Sequence, residues 1–296
     1  MLYVLAILSI IATIISVIGW QVITVAQINN VKSGTDYYIS LNTLGIFLLF
    51  CAGGIDVASI LFGPQALKGA LGALPILLNI PIIYLFQCGC IGRIKKLQFT
   101  RYDIIFLFLI ATSTVLSTVS FFISDTFDDY DTDPETIHGL LLLPTAVIYQ
   151  IVFPVISILL SFIVFRFPTL GQVIATNAWI AGMFASLVVL YGKSALHLLN
   201  SDFETSTAIY IIGALYALCG QALLMYNSVQ LHTSLSQTQE HITLYTISYT
   251  IWNMVAGGIV FQEFTDFTMD QWILFGVGTG LTLLLLTGWV VYIHKR

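Results

Sequence analysis

The 296-residue chain is 58% hydrophobic and 8% charged, with a mean hydropathy of +0.94, whereas about a quarter of a soluble domain is charged. That composition excludes a water-soluble fold, and too few residues lie outside the apolar runs to build a soluble enzyme domain. The net charge of -5 falls in loops rather than in a basic footprint, which sets nucleic-acid binding aside.

The apolar runs are long and unbroken, so helices are expected rather than the alternating segments of a barrel. The expected fold class is an all-α membrane protein, a polytopic bundle of about nine transmembrane helices. In chain order the predicted spans are approximately Leu2 to Gln27, Leu41 to Phe62, Gln65 to Phe86, Tyr102 to Ile123 and Leu140 to Val164. They continue with Gly171 to Tyr191, Thr207 to Val229, Gln239 to Phe261 and Gln271 to Ile293. The first run has no basic flank or small-residue cleavage site and exceeds a signal h-region, so it reads as a retained span. The whole chain, 1–296, is expected to form one domain, with halves of about 1–139 and 140–296.

The second and third spans meet at Gly63-Pro64 with almost no loop. Small residues on both sides (Ala52, Gly53, Gly54, Ala58; Ala66, Gly69, Ala70, Gly72, Ala73) predict a tight antiparallel helix pair. Asp56 lies inside the first of these helices, by count roughly 7 Å outside the midplane. A carboxylate at that depth costs at least about 2.5 kcal/mol unless it is paired, protonated or facing a wet cavity. Asp56 is therefore an ion or proton site, or else a tie to neighbouring hydroxyls or to Lys68 that holds helices together. Pro75, Pro81 and Pro154 fall within spans, where each frees a carbonyl that a neighbour, water or ion must take; they predict kinks, or hinges.

Sidedness follows from the basic residues. Lys32, Arg93, Lys95, Lys96, Arg101, Arg166, Lys295 and Arg296 share one side, leaving Lys68 and Lys193 for the other. The positive-inside rule makes the first side cytoplasmic, with the N-terminus outside or luminal and the C-terminus inside. The acidic residues Asp125, Asp128, Asp129, Asp131, Asp133, Glu135, Asp202, Glu204, Glu263, Asp266 and Asp270 then form an anionic outer mouth. Asp129, Asp131 and Asp133 have calcium-loop spacing, but Pro134 stands where the turn needs Gly and Leu140 where Glu should be, so no EF-hand is expected. The cysteines Cys51, Cys88, Cys90 and Cys219 do not complete a zinc site and read as apolar fillers or palmitoylation candidates.

On the eighth span His241, Tyr245, Tyr249 and Asn253 follow one another at i, i+4, with Ser248 and Trp252 beside them, so one face is expected to turn toward a cavity. Asn227 and Gln230 in the seventh span, Asn177 in the sixth and Asn79 in the third are weaker lining candidates or interhelical hydrogen-bonding residues. A faint internal duplication accompanies this. The third span ends Tyr84-Leu85-Phe86-Gln87 and the eighth Ile259-Val260-Phe261-Gln262, 175 positions on. Corresponding spans are five apart, and an odd step reverses direction, so the expected relation is a weak inverted repeat with a site between the halves. Walker, nucleophile-elbow and metalloprotease motifs are missing, and the chain is not expected to be an enzyme or to carry a cofactor.

Phe62 to Leu78, FGPQALKGALGALPILL, resembles the second-to-third helix junction of the NIPA family of magnesium transporters, within the drug/metabolite transporter superfamily. Lys193 in LVVLYGKSAL is similar to that family's Val-Lys-Gly segment, and Asn227-Ser-Val-Gln230 to its Asn-Tyr-Leu-Asn segment. Tyr245 falls on its paired tyrosines, and Ile259 to Phe264, IVFQEF, resembles its Ile-Leu-Phe-Lys-Glu-Trp ending. The departures are Gly53 where the family has Glu, Asp56 where a nearby Asn stands, and Gly69-Ala70 and Ile242-Thr243 in place of Thr-Pro pairs. The resemblance implies a divalent-cation transporter, magnesium foremost, with Asp56 as charged metal ligand and Asn227 and Asn253 as neutral oxygens. The alternatives are a transporter of a small organic solute, with Tyr245, Tyr249 and Trp252 lining its pocket, and a non-transporting scaffold or partner subunit. The expected partners are the lipid bilayer, an inorganic cation or small organic solute and, in assembly, a homodimer, in the plasma membrane or an endosomal membrane.

Overall fold

A computed structural model describes residues 2–33, 37–59, 62–89, 100–123, 133–167, 169–199, 204–230 and 235–294. In chain order the helices are α1 Leu2–Ser33, α2 Tyr37–Ser59, α3 Gln65–Ala70, a 3₁₀ turn Leu71–Ala73, α4 Leu74–Gly89 and α5 Arg101–Val119. They continue with α6 Pro134–Leu141, α7 Pro144–Arg166, α8 Leu170–Leu198, α9 Glu204–Gln230, α10 Leu235–Val260 and α11 Met269–His294. Among the described residues eight helical segments are long and apolar enough to cross a membrane, α3 to α4 counting as one of them. The protein is a polytopic helical membrane protein.

The expected eighth span, Gln239 to Phe261, folds as α10 but is not among those eight segments. It carries Thr238, Gln239, His241, Thr243, Thr246, Ser248, Thr250 and Asn253, all buried. These polar groups are tolerated because α10 runs through the centre, against α3, α4, α7, α8 and α11, so that protein rather than lipid surrounds it. By contrast α2, α7 and α9 show most of their surface outward, as apolar helices facing hydrocarbon do.

Local chemistry sets the breaks. Pro75 lacks an N–H, and the chain answers with the 3₁₀ turn, in which the Leu74 N–H takes the Leu71 carbonyl that proline strands. Pro154 strands the Gln150 carbonyl inside α7, and the Tyr191 hydroxyl of α8 donates to it at 3.0 Å. The fifth span begins at Pro144 rather than Leu140, because the preceding residues form the separate helix α6. Asp133 caps α6, its Oδ2 accepting from the Thr136 N–H at 3.2 Å, and Pro134 occupies the first helical position. Asp125, Asp128, Asp129 and Asp131 lie outside the described residues.

The tight pair expected of the second and third spans does not form. α2 packs chiefly on α1, and α3 packs chiefly on α10. A Cβ on Gly53 or Gly54 would meet nothing within 4 Å, whereas one on Gly69 would press on Thr250, Asn253 and Met254 of α10. The small residues of the third span serve a distant helix, not the adjacent one.

The packing repeats itself. α1 lies along α2 as α8 lies along α9, α4 leans on α1 as α10 leans on α8, and α2 touches α8 as α9 touches α1. α3 meets α10, and α5 meets α11. Exchanging α1, α2, α3–α4 and α5 with α8, α9, α10 and α11 preserves this pattern, as a twofold relation requires. Partners are five spans apart, so the repeats run in opposite senses. The two ends of the bundle also differ. One gathers the start of α1, the α2–α3 joint, the end of α5 and the α10–α11 turn, seen in the Tyr3–Phe122 and Phe121–Phe267 ring contacts. At the other, Thr100 and Tyr292 hydroxyls meet at 2.9 Å.

Candidate functional site

Asp56 sits on α2 one turn before Ser59, near the end of the bundle that holds the α2–α3 joint. Its Oδ1 pairs with Lys68 Nζ of α3. The ammonium also donates to Ser9 Oγ of α1 at 2.8 Å and to Ser59 Oγ at 2.7 Å, which uses all three of its protons. Lys68 is sealed, with a side chain 3% exposed, whereas that of Asp56 is 32% exposed. The pair is thus asymmetric: the cation is held on every side and the carboxylate stays reachable. Its Oδ2 accepts from the Tyr249 hydroxyl of α10 at 3.4 Å.

Tyr249 extends the site along α10. Its ring stacks on that of Tyr245, with centroids 6.0 Å apart and planes 12° from parallel, and both pack against Ala185 and Val189 of α8. The Tyr245 hydroxyl accepts from Gln221 Nε2 of α9 at 3.1 Å. Beyond it a cavity of about 20 Å³, lined by Ser16, Val17, Trp20, Pro75, His241, Ile242 and Tyr245, has room for about one water. His241 Nδ1 meets Ser228 Oγ of α9 at 2.6 Å. In the other direction Asn253 Nδ2 donates to the Tyr249 carbonyl at 2.8 Å, and Gln65 Nε2 of α3 donates to Asn253 Oδ1 at 3.1 Å. The line His241, Tyr245, Tyr249, Asn253 is therefore one polar thread, bonded in turn to α9, α2 and α3.

The start of α3 explains a second charged group. Pro64, at its N-cap, supplies no side-chain acceptor for the free amides of the first turn. Glu263 supplies it from the α10–α11 turn: Oε1 accepts from the Gln65 N–H at 2.6 Å and Oε2 from the Ala66 N–H at 2.7 Å. Lys193 Nζ of α8 balances the charge, 2.8 Å from Glu263 Oε1, 3.4 Å from the Gly63 carbonyl oxygen and 4.2 Å from the centroid of the Phe261 ring. Gln262, at φ 51°, turns the chain so that Glu263 points inward, and the Glu263 N–H returns to the Gly257 carbonyl at 3.1 Å. Gly257 has no side chain where Glu263 and Ala66 pass.

These contacts sort the expected site residues. Asp56 and Tyr249 meet, Tyr245 joins them by stacking, and Asn253 is linked to them through the Tyr249 carbonyl one turn along α10. Asn227 does not: it is half-buried on α9, and the bonds from α9 to α10 run through Gln221 and Ser228 instead. Asn79 bonds Gln21 Nε2 of α1 at 2.6 Å, an interhelical tie. Glu263 belongs to no anionic mouth, because it is buried against Lys193, while Asp266, Asp270 and Glu135 are exposed. Sequence reasoning missed Gln65 and the pairing of Glu263 with Lys193. The available signal was a lysine in an apolar helix, which demands a counter-ion near the same end.

Comparison with protein-family models, curated proteins and solved structures finds no match to this chain. What the fold defines is the class already stated, a polytopic helical membrane protein.

Proposed function

We propose that the protein is a membrane transporter of small cations, with magnesium the first cargo, bound at Asp56 in exchange for the Lys68 ammonium. One observation carries the reading: a reachable carboxylate inside an apolar span is neutralised by a sealed ammonium, so an entering cation can replace its counter-ion. Hard dications take carboxylate, hydroxyl and amide oxygens together with their own waters, and Asp56, Tyr249 and Asn253 offer that set. Asp56 of α2 and Tyr249 of α10 come from opposite halves of the chain, which suits a site that alternating access exposes to each side in turn. The resemblance of Phe62 to Leu78 to the NIPA junction points the same way.

The end holding the α2–α3 joint is read as outer or luminal. Among the described residues of the spans and turns near it, the basic side chains Lys68 and Lys193 are both consumed in ion pairs, while Arg101 and Arg166 lie at the opposite end, the one read as cytoplasmic. On this reading the C-terminus faces the cytoplasm, and the membrane is the plasma membrane or an endosomal membrane.

A second cargo, a small organic cation, is favoured by one feature, the parallel Tyr245 and Tyr249 rings beside Asp56, which suit a flat or amine-bearing solute. Uptake into proteoliposomes with magnesium, other divalent cations and a metabolite panel, with and without a pH gradient, separates the two. Magnesium flux abolished by Asp56→Asn in a folded protein supports the first. Flux of organic solutes alone discards magnesium, and flux of nothing leaves the scaffold reading.

A further inference from the structure

Asn253 and Gln65 form a relay whose direction is fixed by its first member. The Tyr249 carbonyl can only accept, so Asn253 must present Nδ2 to it. Asn253 Oδ1 then faces Gln65, which must answer with Nε2. The free end of the relay is therefore Gln65 Oε1. It has no protein partner although Gln65 is 0% exposed. Gln271, equally buried, is satisfied at both ends: Nε2 donates to the Ser120 carbonyl at 3.1 Å, and Oε1 accepts from the Thr268 N–H at 2.8 Å. Gln65 is also held at its backbone, whose N–H is clamped by Glu263. Its free oxygen is thus both buried and pre-oriented, at the end of the thread that begins at Asp56 and passes through Tyr249 and Asn253.

We propose that Gln65 is a cargo ligand: its Oε1 is the neutral oxygen that receives the cation after the Asp56 carboxylate. The inference rests on the transporter reading above and names a further residue of that site. A buried acceptor without a protein partner calls for a water or an ion, and the cargo is the ion to which the thread from Asp56 leads. An amide oxygen is a hard donor without net charge. It replaces a water of the cation without trapping it as a second carboxylate would, which passage through a membrane requires.

The test is initial-rate magnesium uptake by proteoliposomes over a range of concentrations, for the wild type, Gln65→Met and Gln65→Asn. Met keeps the volume and removes the oxygen, and is expected to raise the apparent KM for magnesium about tenfold, the scale of one lost ligand. Asn keeps the chemistry but withdraws the oxygen by about one C–C bond, and is expected to raise KM less. A merely structural glutamine would lower the amount of folded protein and leave KM unchanged. Wild-type KM in both variants overturns the inference while the transporter reading stands. A wild type that moves no divalent cation overturns both. Should neither variant fold, infrared difference spectra of the wild type labelled with ¹³C in its glutamine side-chain carbonyls decide. Magnesium is expected to shift a labelled band, and an unchanged band overturns the proposal.

Discussion

Lys193 and Glu263 meet at 2.8 Å with neither side chain exposed to solvent. Neither could be buried alone, since each ion loses several kcal/mol of hydration and only the partner and further hydrogen bonds return it. The carboxylate completes its set with the two amides that Pro64 leaves uncapped. A helix start, a buried lysine and a turn with left-handed backbone are thus one device.

Removing one partner should cost far more than removing both. Lys193→Met is expected to destabilise the protein by about 3–5 kcal/mol, because Glu263 is left buried and uncompensated. Adding Glu263→Gln should recover more than half of that loss. Thermal unfolding in detergent, followed by fluorescence-detected size exclusion, reads both, and equal losses in the single and double variants would contradict the pairing.

The exchange step at Asp56 gives a kinetic signature. With Lys68→Met the competing cation is gone, so the apparent KM for magnesium should fall about tenfold, while slower release lowers the maximal rate. Proteoliposome uptake measures this, and an unchanged KM would remove Lys68 from the cargo cycle.

Close approach of α8 to α10 depends on Gly182. A Cβ there would stand 2.6 Å from the Tyr245 carbonyl oxygen and 2.7 Å from Ser248 Cβ. Gly182→Ala should therefore cost about 1–3 kcal/mol. Gly54→Ala, on a surface that meets nothing within 4 Å, should stabilise α2 by roughly 0.5–1 kcal/mol through helix propensity. Melting temperatures that move the same way in both variants would rule out this packing difference.

Tyr191 and Pro154 should be coupled through the Gln150 carbonyl. Tyr191→Phe leaves that half-buried acceptor short of a donor and is expected to cost about 1 kcal/mol. In a Pro154→Ala background the helix supplies its own N–H, so the same change should cost much less. A double-mutant cycle that shows additive losses would break the link.

The polar line on α10 was legible from i, i+4 spacing, and the lipid-exposed helices from unbroken apolar runs. Both are local properties, set by periodicity and by which solvent a face meets. That each proline frees a carbonyl was legible for the same reason, although the donor that relieves Pro154 lies 41 positions from the stranded carbonyl. Helix adjacency was misread at Gly63-Pro64: a short joint limits the distance between helix ends, not which neighbour buries each helix face. Glu263 was misread as solvated because its burial depends on the turn at Gln262 and on the open amides of α3, some 197 positions away.

Sequence alone determined that the chain lives in a bilayer, roughly where its apolar spans fall, and that Asp56 and the α10 polar groups need an explanation. The tertiary structure decided the partners: Lys68 for Asp56, Lys193 for Glu263, α1 for α2 and α10 for α3. The division is physical. Hydrophobicity and backbone propensity act along the chain, whereas the neutralisation of a buried charge depends on which distant group packing brings within about 3 Å.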